Sequence, residues 1–118
     1  MKPSNLHIIS SNTINYKFAQ DILIDYLCDH DISKILITNY TTGDIALISM
    51  LSLTEIPIEV EMPTRNCGAL PIISSQFAMI RRATHALIFN DHSTLIETMI
   101  YMVTRNDLKI KVIECCDQ

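Results

Sequence analysis

Glycine is nearly absent, at 2 of 118 residues. Walker A and G-x-G-x-x-G loops need several glycines, because the backbone must approach a diphosphate closely. Neither motif occurs, which argues against a standard diphosphate cradle. Basic residues are also few, 9 Lys and Arg against 13 Asp and Glu, for a formal net charge of -4. A protein that grips a phosphate backbone carries a basic face, so nucleic acid is not an expected partner. Arg81-Arg82 and Lys109/Lys111 are the only close basic pairs and read as solvated surface. No apolar run reaches the roughly 18 to 20 residues of a membrane span. Met1-Lys2-Pro3-Ser4-Asn5 lacks the basic-then-apolar opening of a secretory signal. These absences predict a soluble, cytoplasmic protein with no membrane partner.

The four cysteines (Cys28, Cys67, Cys115, Cys116) lack repeated CxxC spacing. Vicinal Cys115-Cys116 cannot easily bond each other, and no zinc set is spaced for ligation. They read as free thiols of a reducing compartment. No nucleophile-elbow motif accompanies the Ser, His and Asp residues. No cofactor or metal is expected.

What is present is a foldable chain. Apolar residues make up 48% of it and mean hydropathy is +0.23, enough for one domain with its own core. Leu6–Ser10 reads as a first strand, and Ile14–His30 as a helix whose stripe is Phe18, Ile22, Tyr26 with Ala19, Leu23, Leu27. Lys34–Thr38 is a second strand of the β-branched kind found in parallel sheets. A helix from Asp44 to Leu53 is apolar nearly all round, which predicts deep burial or packing on a second copy. Pro57–Met62 alternates as a more exposed strand, and Pro63–Leu70 is the longest loop. Pro71 suits the first turn of a helix with Phe77, Ile80 and Ala83 inward. His85–Phe89 is a buried strand, Thr94–Asn106 a helix and Leu108–Cys115 a last strand. His7 and His85 read as satisfied at the sheet, and His30 as a surface residue. Five strands alternating with four helices predict an α/β fold: one Rossmann-like domain over residues 1–118, with a mainly parallel sheet.

In such a fold the turns after successive strands meet at one edge of the sheet. Three polar turns therefore converge: Ser10-Ser11-Asn12, Thr38 to Asp44 (with Asn39, Thr42 and Gly43), and Asn90 to Thr94 (with Asp91, His92 and Ser93). They suit a polar ligand held by neutral groups and helix N-termini, and the same residues are ordinary caps and turn formers. Thr94-Leu95-Ile96-Glu97 has capping-box spacing, yet Glu97 could instead serve as a general acid or base. Asp44 either stabilises a helix dipole or accepts from a ribose hydroxyl. His92 can titrate near neutral pH.

In order and pattern these turns resemble the SLOG superfamily of Rossmann-like domains, which includes the LOG (lysine-decarboxylase-like) proteins, the DprA core and the YspA-like proteins. YspA-like members carry Gly-Gly-Ala-x-Gly-Ala-Asp after the second strand. Here Thr38-Asn39-Tyr40-Thr41-Thr42-Gly43-Asp44 keeps a Gly and an Asp. The family's short helix with Met, then Ala-Asp, is matched by Met79 and Ala83, with Thr84 in place of the Asp. The LOG Pro-Gly-Gly-x-Gly-Thr-x-x-Glu is matched by Asn90-Asp91-His92-Ser93-Thr94-Leu95-Ile96-Glu97, which keeps Thr-x-x-Glu without the glycines. Gln76 stands where LOG enzymes use an arginine.

The resemblance implies a nucleotide-derived ligand on these turns, with Gln76 and Glu97 at the site, and a homo-oligomer. Loss of the arginine and glycines points to binding without catalysis, as in a sensor or sequestering protein. Two alternatives stand beside it. One is a divergent LOG-like N-glycoside hydrolase or phosphoribohydrolase using Glu97, with Arg65, Arg81 or Arg82 as replacement cation. The other is an interaction module whose apolar helix Ile45–Leu53 and Met99/Met102 form a partner face.

Overall fold

The computed structural model describes residues 3–62 and 70–115. In chain order the elements are β1 Asn5–Ile9, α1 Tyr16–Asp29, β2 Lys34–Thr38, α2 Thr42–Leu51 and β3 Ile58–Glu61. They continue as α3 Leu70–Ile80, β4 His85–Asn90, α4 Thr94–Thr104 and β5 Lys109–Glu114. The five strands form one sheet in the order β3-β2-β1-β4-β5, and every pairing is parallel. The expected α/β architecture is the one observed.

Burial follows position in the sheet. The central strands β1, β2 and β4 are almost wholly covered, and their sequences are the near-continuous apolar runs that two-sided burial demands. One core packs Leu6, Ile8, Ile35, Ile37, Leu87 and Phe89 against Ala19 and Leu23 of α1 and Leu47 and Leu51 of α2. The opposite face packs Ile9, Ala86 and Ile88 against Ile80 of α3 and Ile96, Met99 and Val103 of α4. Alternate residues along each strand feed alternate cores, as a two-residue period requires. Each fully buried Leu, Ile or Phe contributes about 2 kcal/mol from burial.

The edges differ from the centre. β3 is half-exposed, in line with its alternating sequence. On β5, Lys109 and Lys111 are exposed and discourage pairing with another strand. Of the two expectations for the second helix, deep burial is not met within the single chain. Leu47 and Leu51 are buried, but Ile45 is half-exposed and Ile48 and Met50 are only partly covered. It lies on the outside of a three-layer domain, so only one stripe reaches the sheet. His30 is half-buried rather than superficial: its ring stacks on Tyr26, centroids 4.0 Å apart, and meets His85 edge-on. Most of the expected loop Pro63–Leu70 lies outside the described residues. No helix among the described residues is long and apolar enough to cross a membrane.

Candidate functional site

Strand order reverses between β1 and β4. The chain leaves β1 towards one face of the sheet and leaves β4 towards the other, the arrangement beyond whose carboxyl strand ends open α/β sheets place a ligand crevice. Short polar side chains line it because each strand there passes directly into a capped helix. Asn15 caps α1, its side chain accepting the Phe18 amide at 3.0 Å, and Ser11, Asn12 and Thr13 fill the turn before it.

Hydrogen bonds join the three turns. The Thr13 hydroxyl donates to Asp91 Oδ2 at 3.0 Å, linking the β1 and β4 turns. The Thr42 amide donates to Asn12 Oδ1 at 2.8 Å, and the Gly43 amide to the Ser11 carbonyl at 3.2 Å. That second contact explains one of the two glycines. A Cβ on Gly43 would land on the Ser11 carbonyl oxygen, and would lie 2.8 Å from Ile14 Cδ1.

Asp44 points inward and is only 1% exposed. The Ser10 hydroxyl donates to its Oδ1 at 2.6 Å, while the Thr38 hydroxyl and the Tyr40 and Thr41 amides converge on Oδ2. Thr41 and Asp44 form a reciprocal capping box at the start of α2. Burial pushes the Asp44 carboxyl above its ordinary value, and the hydrogen bonds pull it back. Of the two roles open to Asp44, the geometry supports the cap, because the carboxyl is buried from solvent and both oxygens are engaged from within the protein.

The β4 turn is built from two Asx turns. Asn90 Oδ1 accepts the His92 amide and Asp91 Oδ1 accepts the Ser93 amide, each at 2.9 Å. They hold His92 at φ 65°, the left-handed region that non-glycine residues seldom occupy. Ser93 thereby becomes the extended cap residue of α4, accepting the Ile96 amide at 3.3 Å. The capping box expected at Thr94/Glu97 is therefore not formed: Thr94 is already the first helical residue, so the cap falls one position earlier. Glu97 turns instead to His92. Its Oε1 lies 3.3 Å from His92 Nδ1, and Glu114 Oε1 lies 2.6 Å from Nε2. Donating to both carboxylates needs an imidazolium, since neutral imidazole has one N–H. The Glu114 hydrogen bond in particular raises the His92 pKa above its ordinary value, with Glu97 adding to it. At Asp91 burial pushes the carboxyl up, but hydrogen bonds from Ser93, Thr13 and Ser11 outweigh it, so the group titrates below its ordinary value.

The crevice thus gathers Asn12, Thr13, Asp91, His92, Ser93, Thr94 and Glu97 as partly or fully exposed groups, with Ser10 and Ser11 buried beneath them. Asn39 stands one strand away, its amide donating to the Glu61 carbonyl. Gln76 is not at the crevice surface. It is buried on α3, where its Oε1 and the Nε2 of His7 are both buried without a hydrogen-bond partner. His7 is therefore only half satisfied, through Nδ1–H to the Leu36 carbonyl at 3.3 Å. Glu114 and Thr13 escaped the sequence reading. Register offers a signal for Glu114: it pairs with Asn90 at the carboxyl end of the neighbouring strand. Among the described residues no group of three or more His, Cys, Asp or Glu is placed to hold a metal ion.

The replacement cations lie elsewhere. Arg81 stacks over Phe77, and Arg82 pairs with Glu59 and Glu61, both at the amino end of β4 and away from the crevice. Arg65 lies outside the described residues. Comparison with protein-family models, with curated proteins and with solved structures finds no match for this chain.

Proposed function

We propose that this domain binds a nucleotide-derived small molecule across the crevice between the β1 and β4 turns, without turning it over. One observation carries the reading: at the strand-order reversal, two turns joined by the Thr13–Asp91 hydrogen bond leave hydroxyl, amide and carboxylate side chains exposed at one edge of the sheet. Open α/β sheets take their ligands at such a reversal. The resemblance of the turn order to SLOG domains supports the nucleotide class.

The charge of the rim narrows that class. Glu97 and Glu114 flank His92, and Asp91 precedes it in the same turn, so the three carboxylates outnumber the one imidazolium and the rim repels phosphate and attracts hydroxyl and amine donors. The ribose and base of the ligand belong against these carboxylates. Any phosphate belongs elsewhere in the crevice. The absence of a described arginine there weighs against phosphoribohydrolase chemistry, which needs a cation on the phosphate.

A thermal-shift screen with nucleosides, nucleoside monophosphates, ADP-ribose derivatives and cyclic nucleotides tests the reading, paired with chromatography of each ligand after incubation. A ligand at 100 times its Kd stabilises by about 2.7 kcal/mol. A ligand that shifts wild-type Tm, is recovered unchanged, and fails to shift the Asp91→Asn/Glu97→Gln double variant supports the proposal. Release of free base refutes the absence of catalysis. Equal shifts in the double variant refute the site.

A further inference from the structure

At the opposite end of the sheet, an open apolar groove of about 360 Å³ lies where the last turns of α1 and α2 approach the entry to β3. Ile24, Leu27 and Cys28 form one wall, and Met50, Leu53 and Ile56 the other. Two of these are costly to leave in water. Leu53 is 88% exposed and Ile24 48%. Neither is demanded by the fold: Leu53 follows the end of α2, and Ile24 sits on the outer side of α1 while Leu23 and Tyr26 face the core.

Among the described residues, the charged groups next in sequence to the groove lining all have one sign. Asp25, Asp29 and Glu55 each adjoin a lining residue in sequence, and all three are exposed. No Lys or Arg adjoins any lining residue. Lys34 is ion-paired with Glu59 at 3.1 Å, and Lys17 lies two helical turns before Ile24. This pattern discriminates between occupants. In a two-fold pairing of identical chains through the groove, the same carboxylates would face one another, and like charges across an interface are repulsive. A partner with apolar anchors flanked by cations meets both the groove and its rim.

From this juxtaposition of an exposed apolar groove with exposed Asp25, Asp29 and Glu55 beside its lining residues, we infer that the α1/α2 end of the domain docks a basic amphipathic helix of another protein. Anchors at i, i+3/i+4 and i+7 would lie along the groove. Lys or Arg on either side would meet Asp25, Asp29 and Glu55. The surface is remote from the β1/β4 crevice, so the inference does not rest on the proposed ligand.

The test is a selection from a displayed library of 18-residue helices, with fixed Leu anchors and flanking positions randomised among Lys, Glu and Ser. Full-length protein serves as target and Leu53→Ser as counter-target, since a fully solvated side chain can be changed without touching the core. Enrichment of Lys at the flanks is expected. The selected peptides should bind Leu53→Ser at least tenfold more weakly, weaken as salt rises, and shield Cys28 from iodoacetamide in peptide mapping. Three results would overturn the inference: flanks enriched in Glu or Ser, no enrichment over the counter-target, or a wild-type dimer in sedimentation that Leu53→Ser converts to monomer. The last would assign the groove to a second copy.

Discussion

His7 makes acid sensitivity a quantitative consequence of the fold. It lies at the middle of β1, completely buried, between Leu36 and Ala86 in register and close to Gln76 of α3. Burial, assisted by the positive field of Arg82, lowers its pKa from 6.5 to about 4, against the opposing hydrogen bond to the Leu36 carbonyl and the influence of the nearby Gln76 side chain. The folded state therefore binds the proton less readily than the unfolded chain. Stability from this group is fully present above pH 6.5 and is lost as pH falls towards 4. Complete loss amounts to about 3.4 kcal/mol, the 2.5-unit difference at 1.36 kcal/mol per unit. Between pH 7 and pH 5 the same relation gives roughly 2 kcal/mol.

Other groups titrate in this range, and His92 works in the opposite sense: its raised pKa contributes stability below 6.5 that is lost as pH rises through the folded value. A comparison of wild type with His7→Leu removes these shared contributions. Urea unfolding followed by circular dichroism at pH 7 and pH 5 supplies the measurement. Wild type should lose about 2 kcal/mol more than the variant, a difference in midpoint on the order of 1 M urea. Parallel losses in the two proteins, within about 0.5 kcal/mol, would refute the argument that a neutral buried His7 governs the acid limb.

The turns yield further expectations. Gly43→Ala should destabilise by about 1–3 kcal/mol through the clash with the Ser11 carbonyl, visible as a lower urea midpoint. Asp44→Ala removes the shared acceptor of the buried Ser10 and Thr38 hydroxyls and of the Tyr40 and Thr41 amides, and should cost about 3 kcal/mol; a loss under 1 kcal/mol would show that the carboxylate does not organise the turn. Ser93→Ala should cost about 1 kcal/mol, while Thr94→Ala stays within about 0.5 kcal/mol, the reverse of what a Thr94 cap would give. In an NMR titration His92 should change protonation above pH 6.5, and Glu114→Gln should bring it back towards that value; an unchanged midpoint would remove Glu114 as the cause.

Local patterning carried most of the fold. Two-residue and 3.6-residue periods are properties of consecutive side chains, so the alternation of five strands with four helices was legible without coordinates. Right-handed crossovers then placed the polar turns at one sheet edge. The same reading identified Asn12, Asp91, His92 and Glu97 as residues of that edge. It could not separate Asp44 from them, because a capping carboxylate and a ligand-facing one have identical spacing.

Tertiary structure decided the rest. The burial of Asp44 depends on Ser10 and Thr38 arriving from two different strands. The shift of the α4 cap to Ser93 depends on a left-handed His92 held by its own turn. Glu114 joins Glu97 only through the β4–β5 register. The apolar α2 proved one-sided because a helix on the outside of a three-layer sandwich meets the sheet along one stripe, whatever its other faces contain. Periodicity is encoded between near neighbours. Which distant residues touch is set by how the layers close, and at this sheet edge that closure sorted the polar side chains into those that hold the turns and those left facing solvent.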